Sequence, residues 1–425
     1  MVEQVTRSLK LAGEWWVPDN YEGKKLGTLE WFPYKGCFLK LIDVSYEFEW
    51  GESPGLICGL NSDQDPVTLL GCRHAGRVGF KMTGNVSTES HWVQAHCALV
   101  GGLFESETEI SITDLYVGYA GLDEYVIEDY AEYERVANED GNYRIDSMTF
   151  NFTDYEAAKI GGTSLCLYVG WSRPGGLQLN HKLHFSFPAD DHYRSIGKNL
   201  MLVHEIIPAF LSSIKGHRSF ITALGTHVEN ARLEIYDGAH GSMTWNGEAE
   251  FRDRLVLGRR RSLDTWPAIL PKWVDNYSAV SKLSKAYVKI LSEEDDGFFN
   301  INNLVHVFFG IEAYCKEKCS RSRGRISLKE ALTFTIARIR KYFEEVEDFV
   351  KEIDSLSVNT LSHARQVLVH ANEGKPDYAL VYHQLIFITR CVLLVEMEYP
   401  VANVKQDTQH WSSWHIPAER RKPEA

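Results

Sequence analysis

The chain has 425 residues, 44% hydrophobic and 12% aromatic, with 13 prolines. That exceeds one ordinary core, so two or three domains are expected, and nothing predicts extended disorder except the polar end "SSWHIPAERRKPEA". A net charge of −13 argues against a surface that coats duplex DNA, but it leaves room for a local cleft that grips a few phosphates.

The N-terminus, "MVEQVTRSLKLAGEWW", has no long apolar core, so no signal peptide is expected and the protein is read as cytoplasmic. Up to about residue 190 the chain reads as strands. "GTLEWF", "CFLKLI", "VSYEFEW", "VTLLGC", "EISITDLYVGY", "SMTFNF", "SLCLYVGW" and "KLHFSF" are short, alternate apolar with polar residues, and are punctuated by Gly, Pro, Asn and Asp. This spacing predicts an antiparallel sandwich or barrel over residues 1–193. "EWW" at 14–16 reads as core rather than as an aromatic platform for a sugar or base. In "HWVQAHC", His91 and His96 fall on opposite sides of a strand, which excludes a zinc pair. The segment Asp123–Asp140 is strongly acidic but offers no particular carboxylate pair for glycoside hydrolysis.

Residues 194–274 read as a mixed α/β connector. "GKNLMLVHEIIPAFLSSI" is helical with Pro208 as a kink or break, and "ARLEIYDG" and "RLVLGRR" have the look of strands. Arg259 to Arg261 fit a surface turn. From about Asp275 the apolar period changes to three and four, which predicts an all-helical bundle over 275–415, followed by a polar tail at 416–425. Leu328, Leu332, Ile336, Ile339, Phe343, Val346 and Val350 form one stripe, and Ser327 with Glu330 makes a capping-box pattern at its start. "SVNTLSHARQVLVH" is a further helix, stopped by Gly374 and Pro376, and Asp377 caps the next. The run "LIFITRCVLLVEMEY" is broken by Arg390 and Glu396 and is too short to span a bilayer, so no membrane association is expected. The fold class is therefore multidomain α+β: a β-rich front, a mixed middle and a C-terminal all-α bundle.

Eight cysteines in so long a chain are not a disulfide framework. Cys315 and Cys319, one helical turn apart, read as a reduced, partly buried pair, because no second ligand pair follows at metal-site spacing. No P-loop, nucleophile elbow or dinucleotide fingerprint appears, and no metal or cofactor is expected.

In "ARQVLVHANEGKP" (364–376), Arg365 and His370 stand five positions apart on the penultimate bundle helix. His370 falls in the last turn, near the negative end of the helix dipole. Imidazoles exchange protons near neutral pH, and guanidinium groups fork onto phosphate oxygens. Together they are the minimum set for metal-free cleavage of RNA, in which the 2′-hydroxyl is the nucleophile. Residues five apart on a straight helix diverge by about 140°, so one helix does not aim both groups at one phosphate. Either "HANEG" frays and His370 swings round, or two copies of the helix meet across a dimer axis; the second is preferred.

The bundle resembles the HEPN ribonuclease domain. "NLVHVFFGIEAYCKEK" stands as an early glutamate-bearing helix, "RISLKEALTFTI" as a helix start, and "ARQVLVHANEG" in the place of the R-x-x-x-x-H signature. The final helix, "YHQLIFITRCVLLVEM", also fits. The front half is similar to the β-rich N-terminal region of the ApeA group of bacterial anti-phage proteins, through "GEWWVPDN" with "KLGTLEWFPYKGCFLKL", "VTLLGC", "ALVGGLF" and "ITDLYVGYAGLDEYV". The resemblance implies a homodimeric abortive-infection effector that cleaves host RNA, plausibly tRNA, once a phage-derived trigger is sensed through the N-terminal domain. It assigns Arg365 to phosphate stabilisation, His370 to proton transfer and Glu312 to orienting Arg365. The position after the arginine, usually Asn, Asp or His, is Gln366 here; it can still hydrogen-bond phosphate or position a partner. The basic stretch "KCSRSRGR" offers Arg321, Arg323 and Arg325 as an RNA grip, with a solvated loop as the plain alternative. The alternative for the whole chain is a non-catalytic recognition protein whose bundle only dimerises.

Overall fold

The structure, a computed structural model, describes residues 9–18, 20–32, 35–42, 53–81, 87–110, 112–122, 131–137, 143–150, 155–160, 162–172, 178–187, 201–215, 218–228, 231–237, 262–295, 300–319, 326–370 and 376–407. Alternating strands open the chain: β1 (Leu9–Trp16), β2 (Lys25–Phe32), β3 (Gly36–Ile42), β4 (Gly55–Asn61), β5 (Pro66–Lys81), β6 (Ser87–Ala95) and β7 (Cys97–Val100). In β3, Cys37, Leu39 and Leu41 point inward and are fully buried, while Phe38, Lys40 and Ile42 point out. Trp15, Leu29, Trp31, Ile57, Val67, Leu69 and Val93 join them from the neighbouring strands, so the inward set forms its own core.

That core is the inside of a closed barrel. The order β5-β4-β1-β2-β3-β6 returns to β5, and every ladder is antiparallel. Closure depends on the 16-residue β5, whose first half pairs with β4 and β7 and whose second half pairs with β6. The pairing slips between His74 and Gly76, and Gly76 has φ +151°. A bulge with a glycine there lets the strand bend from one partner to the next.

From β5 the same sheet runs on through β7 to six further strands: β8 (Asp114–Tyr119), β11 (Tyr155–Ile160), β12 (Thr163–Ser172), β13 (Gln178–Ser186), β14 (Ile221–Val228) and β15 (Ala231–Asp237), in the order β7-β15-β14-β8-β13-β12-β11. β9 (Ala131–Ala137) and β10 (Tyr143–Phe150) form a separate two-stranded sheet. The β region thus extends to Asp237, and "ARLEIYDG" is one of its strands. "RLVLGRR" and Arg259 to Arg261 lie outside the described residues.

Helix α1 (Ile207–Lys215) continues from a π turn at Leu202–Ile206. Pro208 has no N–H for the usual bond one turn back. The chain widens just before it, with the Ile207 N–H bonded to the Leu202 carbonyl, and the helix carries through instead of breaking. The bundle begins at Ser262, earlier than the period change near Asp275, with α2 (Ser262–Asp295). It continues through α3 (Leu304–Lys318), α4 (Leu328–Tyr342), α5 (Glu347–Asp354), α6 (Val358–His370), α7 (Tyr378–Glu396) and α8 (Val401–Asp407). The capping box at Ser327 and Glu330 is formed, and the Asp377 side chain accepts from the Leu380 N–H. The stripe from Leu328 to Val350 is carried by two helices, α4 and α5, because the chain turns at Phe343–Glu345. Phe343 and Val346 are buried at that corner.

Helix α7 is 19 residues long and, among the described residues, the one helix long and apolar enough to cross a membrane, so length does not set it apart as the run "LIFITRCVLLVEMEY" suggests. Its residues from Gln384 to Val395 are all buried, which makes it the centre of the bundle. A second core joins the helices to the flat part of the sheet: Leu115, Val117, Leu165, Leu183 and Phe185 share it with Phe210, Trp266, Trp273, Phe308 and Leu385. Helix α2 lies against β11, and the Trp273 indole N–H donates to the Ile206 carbonyl at 3.0 Å. Both "EWW" tryptophans are core, Trp15 inside the barrel and Trp16 in this second cluster.

Candidate functional site

Helix α6 buries Leu361, Ala364 and Val367. Arg365 is next to this face in angle and sits half-buried on its flank. Across from it, α3 buries Val307, Phe308 and Ile311, which leaves Phe309 and Glu312, three residues apart, on a flank facing outward. The two flanks meet. Arg365 Nη2 lies 3.6 Å from Glu312 Oε1, with about a fifth of each side chain accessible (20% and 23%). The guanidinium carbon stands 5.6 Å from the centre of the Phe309 ring, which remains 44% exposed. Arg365 Nε is buried with no hydrogen-bond partner among the described residues. The arginine is therefore steered from two sides, with part of its donor capacity unused.

The closeness of α3 to the rest of the bundle has a local cause. A β-carbon on Gly310 would come within 2.7 Å of the Leu283 Cα, so α3 and α2 touch backbone to backbone at this point. The far end of α3 is clamped by charge. Glu396, 1% exposed at the end of α7, takes the Lys318 ammonium at 2.5 Å, Arg338 Nη2 at 2.9 Å and the Tyr314 hydroxyl at 2.7 Å. Asn276 of α2 closes the set, donating to the Glu396 carbonyl and accepting from Lys318. Burial, then the adjoining Glu396 carboxylate, pushes the Tyr314 hydroxyl pKa up. Glu396 thus ties α2, α3, α4 and α7 together, meeting α3 at Tyr314 and Lys318.

The sequence marks Glu396 as a break in an apolar run. The missed signal is that a carboxylate on an apolar stretch needs partners, which holds for Glu312 as well. Arg390, another charge in that run, is likewise buried, and its Nε donates to the Tyr287 hydroxyl at 2.9 Å.

His370 is the last residue of α6 and is exposed; Gln366 is exposed as well. The helix is regular through His370, so His370 and Arg365 keep their divergence of about 140°. Within one chain the structure brings Glu312 and Arg365 together and leaves His370 on another side. Arg321, Arg323 and Arg325 lie outside the described residues. None of the eight cysteines is in a disulfide, and the Cys315 and Cys319 sulfurs stand 3.7 Å apart at the end of α3. No group of His, Cys, Asp and Glu among the described residues is arranged to hold a metal ion.

A polar cluster on the flat sheet also escapes sequence reading. Asp114 accepts from Ser186 Oγ at 2.7 Å and from Thr113 Oγ1 at 2.9 Å, and pairs with His184 Nε2 at 2.9 Å. His184 stacks on Tyr116 at 4.4 Å. Serine, histidine and aspartate meet here, but the serine donates to the carboxylate rather than to the imidazole. It is a structural network and not a nucleophilic relay.

Residues 10–194 match the family model of ApeA N-terminal domain 1. No curated protein and no solved structure matches the chain. The match spans the barrel strands and most of the flat sheet. It supports an ApeA-like protein of anti-phage defence and does not extend to the helices that carry Arg365 and His370.

Proposed function

We propose that the chain is an anti-phage effector whose helical region is a metal-independent endoribonuclease of the HEPN type, cutting host RNA, plausibly tRNA, when infection is sensed. The observation that carries this reading is Arg365, held on the flank of α6 by Glu312 with about a fifth of its side chain still accessible (20%). A guanidinium oriented by a carboxylate and reachable from solvent is suited to a phosphate carrying developing charge. In the proposed reaction the 2′-oxygen attacks phosphorus and the 5′-oxygen leaves. His370 takes the proton from the 2′-hydroxyl and returns one to the leaving oxygen, giving a 2′,3′-cyclic phosphate and a 5′-hydroxyl. Because His370 and Arg365 diverge on one helix, the working cleft is composed from two chains, with Arg365 of one copy and His370 of the other able to face one phosphate.

Purified protein incubated with total tRNA in EDTA is expected to release cyclic phosphate ends. Arg365→Ala and His370→Ala are each expected to lower the rate at least about 100-fold and to abolish protection of cells from phage. Retained cleavage together with retained protection in either variant overturns the proposal.

The second reading, a non-catalytic recognition protein with a dimerising bundle, draws on the same divergence and on the ion pair that already engages Arg365. Absence of cleavage under every activating condition, with the dimer intact, would favour it.

A further inference from the structure

The outer wall of the barrel carries a feature the ribonuclease reading does not use. On β2, β3 and β6 the outward positions include Leu26, Phe32, Phe38, Ile42 and Trp92, where a water-facing strand ordinarily shows polar side chains. Leu26, Phe32 and Ile42 are 64%, 38% and 49% exposed. The register explains how they line up. Phe38 pairs with Glu30 on one side and Gln94 on the other, and Lys40 pairs with Thr28 and Trp92. Phe32, Phe38 and Trp92 therefore follow a diagonal across three adjacent strands. The Phe32 and Phe38 rings are 6.3 Å apart, and diagonal neighbours on a sheet are roughly 7 Å apart in general.

Charge accompanies the stripe. The Lys40 ammonium stands 5.7 Å from the Trp92 ring, and Arg73 on β5 forks onto the Gln94 side-chain oxygen at 2.8 and 3.2 Å. Neither cation has a carboxylate partner among the described residues. The carboxylates on this wall, Glu30 and Glu14, are each held by a lysine, Lys10 and Lys24. In a chain with net charge −13, the described residues of this wall set cations beside aromatic rings with no carboxylate on either.

We infer that this wall is a binding site for single-stranded RNA, with bases stacking on Phe32, Phe38 and Trp92 and the backbone running past Lys40 and Arg73. Aromatic rings spaced across a small barrel, flanked by lysine and arginine, accept bases of any sequence because every base has a π-face. A protein partner would meet the apolar rings but would leave unexplained two cations that face no carboxylate among the described residues. The choice of RNA over DNA rests on the ribonuclease reading; the site itself does not.

The test is fluorescence anisotropy of a labelled oligouridine 12-mer against the full chain carrying Arg365→Ala, which keeps the probe intact. Binding is expected to weaken steeply with added salt. Phe32→Ala and Trp92→Ala are each expected to weaken it about tenfold. Lys40→Glu and Arg73→Glu change exposed or half-exposed groups, keep the fold, and are expected to weaken binding and flatten its salt dependence. No binding at low salt, or affinity unchanged in Lys40→Glu and Arg73→Glu, overturns the site. So does loss of self-association, with RNA binding intact, in Phe32→Ala. Tighter binding of the matching deoxy strand overturns the choice of RNA. Failure of tRNA cleavage with oligouridine binding intact would remove the ribonuclease reading and leave the wall as a nucleic-acid site.

Discussion

Arg365 is a permanent charge whose direction is set by Glu312 and by the ring of Phe309. Replacing Glu312 with Gln is expected to cost less than about 1 kcal/mol of stability, because the pair is partly solvated. It is expected to slow RNA cleavage about tenfold, measured by initial rates beside a thermal melt. Arg365→Lys is not expected to restore activity, since an ammonium lacks the planar fork. Asp114 provides a pH-dependent term elsewhere. Burial alone would raise its carboxyl pKa, but hydrogen bonds from Ser186, Thr113 and His184 and the charge of His184 outweigh it and hold the group below the ordinary carboxylate value. A carboxyl held low in the folded state favours folding above its unfolded value, about 3.9, and the contribution is lost as pH falls through the folded value. Asp114→Asn is therefore expected to lower stability in urea at pH 7, with the gap to wild type narrowing as pH is taken below 4. At this scale the sequence was readable wherever one residue's need was local. Glu312 on an apolar stretch called for a cation, and Arg365 answers it. The Asp114 network joins strands about 70 residues apart, a distance no local pattern bridges.

Helix α3 shows what holds an element in place. Its approach to α2 depends on Gly310, and a side chain there meets the Leu283 backbone, which cannot swing aside. Gly310→Val is expected to destabilise by about 1–3 kcal/mol in denaturant titration and to slow cleavage by moving Glu312 off Arg365. At the other end, Glu396 is almost completely buried while Lys318 and Arg338 still reach water. Removing the cations strands a buried carboxylate; removing the carboxylate frees two solvated cations. Lys318→Met with Arg338→Met is thus expected to cost about 3–5 kcal/mol, and Glu396→Gln distinctly less, by the same titration. The elements themselves were largely legible, since strand alternation and helical spacing are local properties. Two features were not. The apolar spacing runs unbroken through Phe343, so the corner between α4 and α5 left no mark in the pattern. Pro208 signalled a kink or break, and one π turn absorbs its missing donor without ending the helix.

For the whole molecule, the period change near Asp275 suggested a bundle over 275–415, whereas α2 begins at Ser262 and shares its core with the sheet. A fragment starting at residue 275 severs α2, and one starting at 262 bares the faces of Trp266 and Trp273 that meet Phe210. Both are expected to aggregate or to lose tertiary signal in near-ultraviolet circular dichroism, while the full chain unfolds in one transition. The choice between sandwich and barrel was not legible in sequence, because closure rests on β5 meeting β6 in its second half after serving β4 and β7 in its first. That double service has a mechanical consequence. β5 is at once a stave of the barrel and a plank of the floor on which the helices stand, so among the described residues no hinge lies between barrel and floor. Under the function proposed above, what an infection would change is how many of these frames stand together.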